Sequence, residues 1–150
     1  MTFVRETEMH DTILVPTDGS AEAESAADYA IELAADLGAS VHFLYVVELR
    51  PVTLPSEVTR EPQRKKEHRE WGREMLSNVA DRAAPAGVGA TTETRTGKAH
   101  EEIVESATER AVDAIVMGAS GQSSLKEFLI GGTTERVIRL TKIPVTTVRA

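Results

Sequence analysis

Ala114-Ile115-Val116-Met117-Gly118-Ala119-Ser120-Gly121 is the stretch on which the fold turns: four apolar residues run without interruption into a turn spaced by glycines. A strand with one wet face alternates apolar and polar residues, whereas a short unbroken apolar run belongs to a strand covered by helices on both faces. Thr12–Val15 and Val41–Val47 have the same mainly apolar character and are read as further central strands. Ala90–Arg95 and Val145–Val148 are polar or threonine-rich, as sheet edges are. Val145–Val148 also carries no charge that would block pairing with another strand.

Helical patterns fill the intervals. Ala21–Leu37 places Ala26, Ala30, Leu33 and Leu37 on one face, with Ser20 as its cap, Glu22 and Glu24 in its first turn and Gly38 to stop it. A second helix is expected over about Glu61–Ala84, ended by Pro85 and Gly87, with Trp71, Met75 and Val79 as its buried stripe rather than an aromatic binding platform. Its mixed charges between Arg60 and Glu74 read as a solvated face. His100–Arg110 and Thr133–Leu140 complete the set.

Strict alternation of five strands with four helices predicts an α/β fold, a single doubly wound five-stranded parallel sheet with helices on both faces. If the two polar strands are its edges, the strand order is 3-2-1-4-5. One domain is expected over residues 11–150, after a polar extension at residues 1–10. In this order the winding reverses between the first and fourth strands, and ligands bind at the carboxyl ends flanking such a reversal. Those ends are Pro16-Thr17-Asp18-Gly19 and Gly118-Ala119-Ser120-Gly121.

The chemistry of the second end is that of an anion cradle. Gly118, Gly121, Gly131 and Gly132 bracket a loop that opens a helix, where glycines admit an oxyanion close to backbone N–H groups and the helix dipole favours negative charge. Hydroxyls recur at Ser120, Ser123, Ser124, Thr133 and Thr134, and Glu135 stands three residues past Gly132 as a capping partner. Across the reversal, Asp18 offers a carboxylate to a base or ribose.

Composition removes other classes. The chain has 24 acidic and 17 basic residues among 150, a formal charge of −7 that opposes non-specific attraction to DNA or an anionic membrane. No nucleic-acid or membrane partner is expected. Without cysteine there is no disulfide, thiolate zinc site or cysteine nucleophile. His10, His42, His68 and His100 lack ligand spacing, and the polar start resembles neither a signal peptide nor a membrane span, so a cytoplasmic location is expected. Gly118-Ala119-Ser120-Gly121-Gln122 breaks the nucleophile-elbow pattern at its last position. A Walker loop and a dinucleotide fingerprint are missing, and Thr94-Arg95-Thr96 stands where a receiver domain would end its third strand in aspartate.

From about Asp11 onward the chain resembles the universal stress protein family in its nucleotide-binding branch. Gly118, Gly121 and Gly131 match that family's Gly, two residues, Gly, nine residues, Gly motif, with residues 122–130 as the spacer. Ile13-Leu14-Val15-Pro16-Thr17-Asp18-Gly19-Ser20, Gly97-Lys98-Ala99-His100-Glu101-Glu102-Ile103 and Thr134-Glu135-Arg136-Val137-Ile138 are similar to it as well. The resemblance implies an adenine nucleotide alpha-hydrolase-like fold. It also implies contacts from Asp18 and Val46 to adenine and ribose, a base pocket lined by Pro16 and Met117, and backbone contacts from Gly118, Gly121, Gly131 and Gly132 to ribose and phosphates. Thr17, Ser120, Gln122 and Thr133 adjoin these positions and are counted with them. The partner implied is ATP, or ADP or AMP, often with a divalent ion such as magnesium, in a homodimer formed through Val145–Val148.

Gly132 departs from the motif, which has Ser or Thr there. Its N–H remains, but a hydrogen bond to a charged group worth about 1.5–3 kcal/mol is lost, enough to weaken ATP or to favour AMP unless Thr133 substitutes. The resemblance therefore implies a homodimeric, cytoplasmic, ATP-binding protein of the stress response or signalling that senses or buffers adenine nucleotides rather than turning them over fast. A slow ATPase using the same pocket, and a nucleotide-free interaction module of the same fold, are the alternatives.

Overall fold

The structure, a computed structural model, describes residues 12–48, 54–120 and 130–150. The expected extension at residues 1–10 and the site residues Gly121 and Gln122 lie outside the described residues. The elements follow in the order β1 (Thr12–Pro16), α1 (Ala21–Leu37), β2 (Ser40–Glu48), α2 (Pro55–Asp81), a 3-10 turn (Ala84–Ala86), β3 (Ala90–Gly97), α3 (Ala99–Glu109), β4 (Ala114–Gly118), α4 (Gly132–Leu140) and β5 (Val145–Val148).

The strands form one parallel sheet in the order β3-β2-β1-β4-β5, as the ranking of apolar and polar strands required. Alternation along the central strands divides the core in two. Ile13, Val15, Val41, Phe43 and Val116 pack with the alanine face of α1 and with Leu76 and Val79 of α2. Leu14, Leu44, Ile115 and Met117 face the other way, onto Ile103 and Ala107 of α3 and Val137 of α4. The alanines of α1, buried at positions 23, 26, 27, 30 and 34, let that helix lie close to the sheet.

The caps of α1 are as expected: the Ser20 hydroxyl accepts from the Ala23 N–H at 3.2 Å, and Gly38 ends the helix in a left-handed conformation. The second helix differs. It begins at Pro55, six residues before the expected Glu61, and it carries Pro62 inside. Pro55 has the pre-set φ that suits a first helical position. The helix closes at Asp81, while Pro85 lies in the separate 3-10 turn that Gly87 terminates.

One polar cluster supports the edge of the sheet. His42 of β2 is fully buried, with Nδ1 2.6 Å from the Thr91 hydroxyl and Nε2 2.9 Å from Glu93. A carboxylate only accepts, so Nε2 carries the proton and Nδ1 accepts from Thr91. The Ser106 hydroxyl and the Arg95 guanidinium also donate to Glu93, at 2.7 and 2.6 Å. Burial lowers the pKa of His42 against the pull of Glu93. Burial alone would raise that of Glu93, but the hydrogen bonds from His42, Ser106 and Arg95 outweigh it and hold the carboxyl at about 2.

Both groups therefore bind protons less readily folded than unfolded, so their contribution is present at neutral pH and lost on acidification. The His42 part fades below the ordinary histidine value of 6.5, and the Glu93 part fades between 4.5 and about 2. Glu93→Gln is expected to lower stability at pH 7 by up to roughly 3 kcal/mol and to flatten the acid limb of a thermal-melting series between pH 4.5 and 2.

Candidate functional site

β1 and β4 lie side by side, with Ile13 opposite Ala114 and Leu14 opposite Ile115. Beyond their carboxyl ends the chain leaves β1 for α1 on one face of the sheet, and α4, which follows β4, packs on the other. A cleft of about 730 Å³ opens where the two connections part, within the usual range of ligand pockets. Its lining brings together Pro16, Thr17, Asp18, Val46, Met117, Gly118, Ser120, Gly131, Gly132 and Thr133, which are all the expected site residues among those described.

The β1 end of the cleft is held by short local bonds. Asp18 Oδ1 accepts from the Ser20 N–H at 2.9 Å, which closes a tight turn and fixes the carboxylate at the helix entrance. The buried Thr17 donates its N–H to the Leu44 carbonyl at 2.9 Å and its hydroxyl to Met75 Sδ at 3.7 Å. Leu44, Val46, Ile103 and Met117 supply apolar walls beside this carboxylate. Burial, together with the nearby Asp18 and Glu48 carboxylates, pushes the pKa of the Tyr45 phenol up, so Tyr45 faces the cleft as a neutral hydroxyl.

At the opposite end the two halves of the glycine signature are tied together. The Gly131 N–H donates to the Ala119 carbonyl at 2.7 Å, the Ala119 N–H to the Val148 carbonyl at 2.8 Å, and the Thr134 hydroxyl to the Gly118 carbonyl at 2.9 Å. Gly131 is the N-cap of α4 and Gly132 its first residue, without a side-chain cap. Glu135 does not act as the capping partner: its backbone N–H bonds to Gly131, while its side chain pairs with Arg139 at 2.9 Å one turn on. The Gly131 N–H is thus already engaged by the Ala119 carbonyl. The N–H groups of Gly132, Thr133 and Thr134 have no acceptor within the helix and form its positive end.

Ser120 is engaged by an anion of the chain itself. Its N–H donates to Glu22 Oε1 at 3.0 Å and its hydroxyl to Glu22 Oε2 at 2.9 Å, joining the start of α1 to the end of β4. Gly118 permits the approach, because a Cβ there would come within 3.0 Å of the Glu22 backbone carbonyl carbon.

Trp71 overturns an expectation. It shares a helical face with Met75 and Val79, yet it is 46% exposed where Val79 is buried. Four-residue spacing assigns a face but not what lies beneath it; under the last turns of α2 there is sheet, and beside Trp71 there is the cleft. Its ring meets that of Tyr45 edge-on at 5.5 Å. His68, one turn earlier, lines the same wall, and neither residue carried a sequence signal for the site. The one legible hint was Gly72, a glycine within a helical pattern. A Cβ there would run into the Tyr45 ring, so Gly72 makes room for the tyrosine that supports Trp71. Gly72→Ala is expected to displace that ring and lower the melting temperature, despite a gain in helix propensity of about 1 kcal/mol, and to shift the emission of the single tryptophan.

Among the described residues no group of three His, Cys, Asp or Glu could hold a metal ion, and no helix is long and apolar enough to cross a membrane.

A family model described as Universal stress protein family matches residues 9–149. Universal stress protein MJ0531 of Methanocaldococcus jannaschii is 38% identical over 142 residues, covering 94% of this chain and 83% of that protein. The structure of universal stress protein UspA from Lactobacillus plantarum superposes with a TM-score of 0.86 at 25% identity, covering 93% of this chain and 98% of that one. A universal stress protein in complex with cAMP is 26% identical with a TM-score of 0.70, covering 93% and 97% of the two chains.

Proposed function

The chain belongs to the universal stress protein family, and from that premise we propose that it binds an adenine nucleotide in the cleft between β1 and β4, as a sensing or buffering protein. The observation that carries this reading is the joining, in one cleft, of the Asp18 carboxylate beside apolar walls with the uncapped start of α4. The first combination suits the polar edge and faces of a base with its ribose, and the second suits a phosphate. The related protein bound to cAMP supports the ligand class.

Asp18 accepts hydrogen bonds from base or ribose, Pro16, Val46 and Met117 enclose the base, and Thr17 braces the Asp18 turn from below. Gly118 and Gly131 meet the sugar and phosphate with their backbones, with Gly132 and Thr133 donating to the phosphate. Ser120 borders this end, and Gly121 and Gln122, which follow it in the sequence, are included in the reading by their motif positions alone. Asp18 and Glu48 are the only carboxylates among the described lining residues. They do not make a cage for magnesium, so an ion arriving with ATP would be held chiefly by the phosphates.

Calorimetric titration with adenosine, AMP and ATP tests the reading: binding of AMP at micromolar to submillimolar concentration is expected, and no heat at millimolar nucleotide would sink it. Asp18→Ala is expected to weaken AMP about tenfold or more, with a melting curve to establish that the variant is folded. Because a Cβ at Gly132 meets nothing within 4 Å, Gly132→Ser fits without strain and is expected to strengthen nucleotide binding by about tenfold.

The same reading includes a homodimer through β5. That strand pairs with β4 on one side, and Thr146 and Thr147 are exposed. An open edge of this kind accepts a second copy. Sedimentation should give twice the chain mass, and Thr147→Pro should yield monomer; a monomeric parent protein would remove the dimer and leave the nucleotide site standing.

A further inference from the structure

The Glu22 carboxylate occupies two hydrogen-bond donors of the cleft's phosphate end with the geometry of a bound anion. Both its oxygens are used, one by the N–H and one by the hydroxyl of Ser120. A backbone N–H with an adjacent hydroxyl is also the donor pair a phosphate oxygen seeks. Glu22 is held in place from behind, since its backbone lies against Gly118 too closely to admit a Cβ. Ser120 belongs to the cleft lining together with Gly131, Gly132 and Thr133, and Glu22, which is not itself a lining residue, reaches that end through its two bonds to Ser120.

The rest of the described lining does nothing to offset that charge. It contains Asp18 and Glu48 but no lysine or arginine, and His68 is its only basic side chain. One phosphate can be met by the N–H groups at the start of α4. Each further phosphate adds negative charge beside a carboxylate that already holds the next donors.

We propose that Glu22 is a specificity-determining residue that makes the cleft discriminate by phosphate number, admitting a nucleoside monophosphate and disfavouring the triphosphate. A triphosphate reaching Ser120 must displace Glu22 into solvent and lose both bonds. This rests on the adenine-nucleotide reading above and deepens it.

The test compares adenosine, AMP and ATP by calorimetry on the intact chain and on Glu22→Gln and Glu22→Ala. The parent chain should bind AMP at least as tightly as magnesium-free ATP. Both variants should strengthen ATP about tenfold, change AMP less than threefold and leave adenosine unaltered, which also shows that the base pocket has kept its fold. An unchanged ratio of ATP to AMP affinity in variants that still bind adenosine would overturn the role of Glu22 and leave the nucleotide reading intact. A parent chain that binds ATP more than tenfold tighter than AMP would overturn it as well. A parent chain that binds none of the three would overturn the nucleotide reading, and this proposal with it. If Glu22→Ala proves unstable, Glu22→Gln, which keeps the length and an acceptor oxygen, decides the matter alone.

Discussion

Everything in the site depends on the reversal of winding between β1 and β4. Each strand must send its connection to a different face, because each face of the sheet is apolar and must be covered. Two neighbouring strands whose chains depart in opposite directions leave an opening at their carboxyl ends that no side chain of the sheet can fill. The cleft is thus a consequence of burying both faces, with Ile13 and Val15 serving one core and Leu14 the other. Pairing of Ile13 with Ala114 and Leu14 with Ile115 then sets the distance across which Asp18 and Gly118 face each other.

The opening is electrostatically divided. Along one wall Asp18, Glu48 and Tyr45 present carboxylates and a neutral phenol, and at the far end the start of α4 presents N–H groups. A ligand that suits both must carry donors at one end and an anion at the other. Glu22 complicates this simple polarity. Its carboxylate reaches from the first turn of α1 to Ser120, bringing negative charge to the end of the cleft that is otherwise positive. In a chain of formal charge −7 with no described lysine or arginine in the cleft lining, such local arrangements set the field that an anion entering the cleft would meet.

Support for the cleft comes from residues far from it in sequence. Gly72 lets Tyr45 lie against α2, and Tyr45 in turn meets Trp71 edge-on, so one small residue in a helix positions an aromatic wall. On the other side of the sheet, the cluster of His42, Glu93, Arg95 and Ser106 anchors the edge strand β3 to β2 and α3. Burial favours the neutral histidine and the hydrogen bonds favour the ionised glutamate, so the edge of the sheet is sensitive to acid while the apolar core is not.

By itself the sequence determined the sheet and its order, and it picked out candidate site residues whose described members line one cleft. Hydrophobic runs report burial on both faces directly, and polar strands report edges, so Ala114–Met117 and Val145–Val148 could be ranked without coordinates. The glycine spacing at Gly118, Gly131 and Gly132 was legible because only certain backbones need glycine at such intervals. Local pattern failed where its meaning depends on what lies underneath. Trp71 has the periodicity of a core residue and yet lines the cleft, edge-on to Tyr45; Glu135 has the spacing of a cap and pairs with Arg139 instead. Glu22 read only as a helix-start acid, since its partner Ser120 is 98 residues away. Long-range pairing of that kind leaves no periodic trace, and only the tertiary structure, by bringing α1 onto the end of β4, decided it.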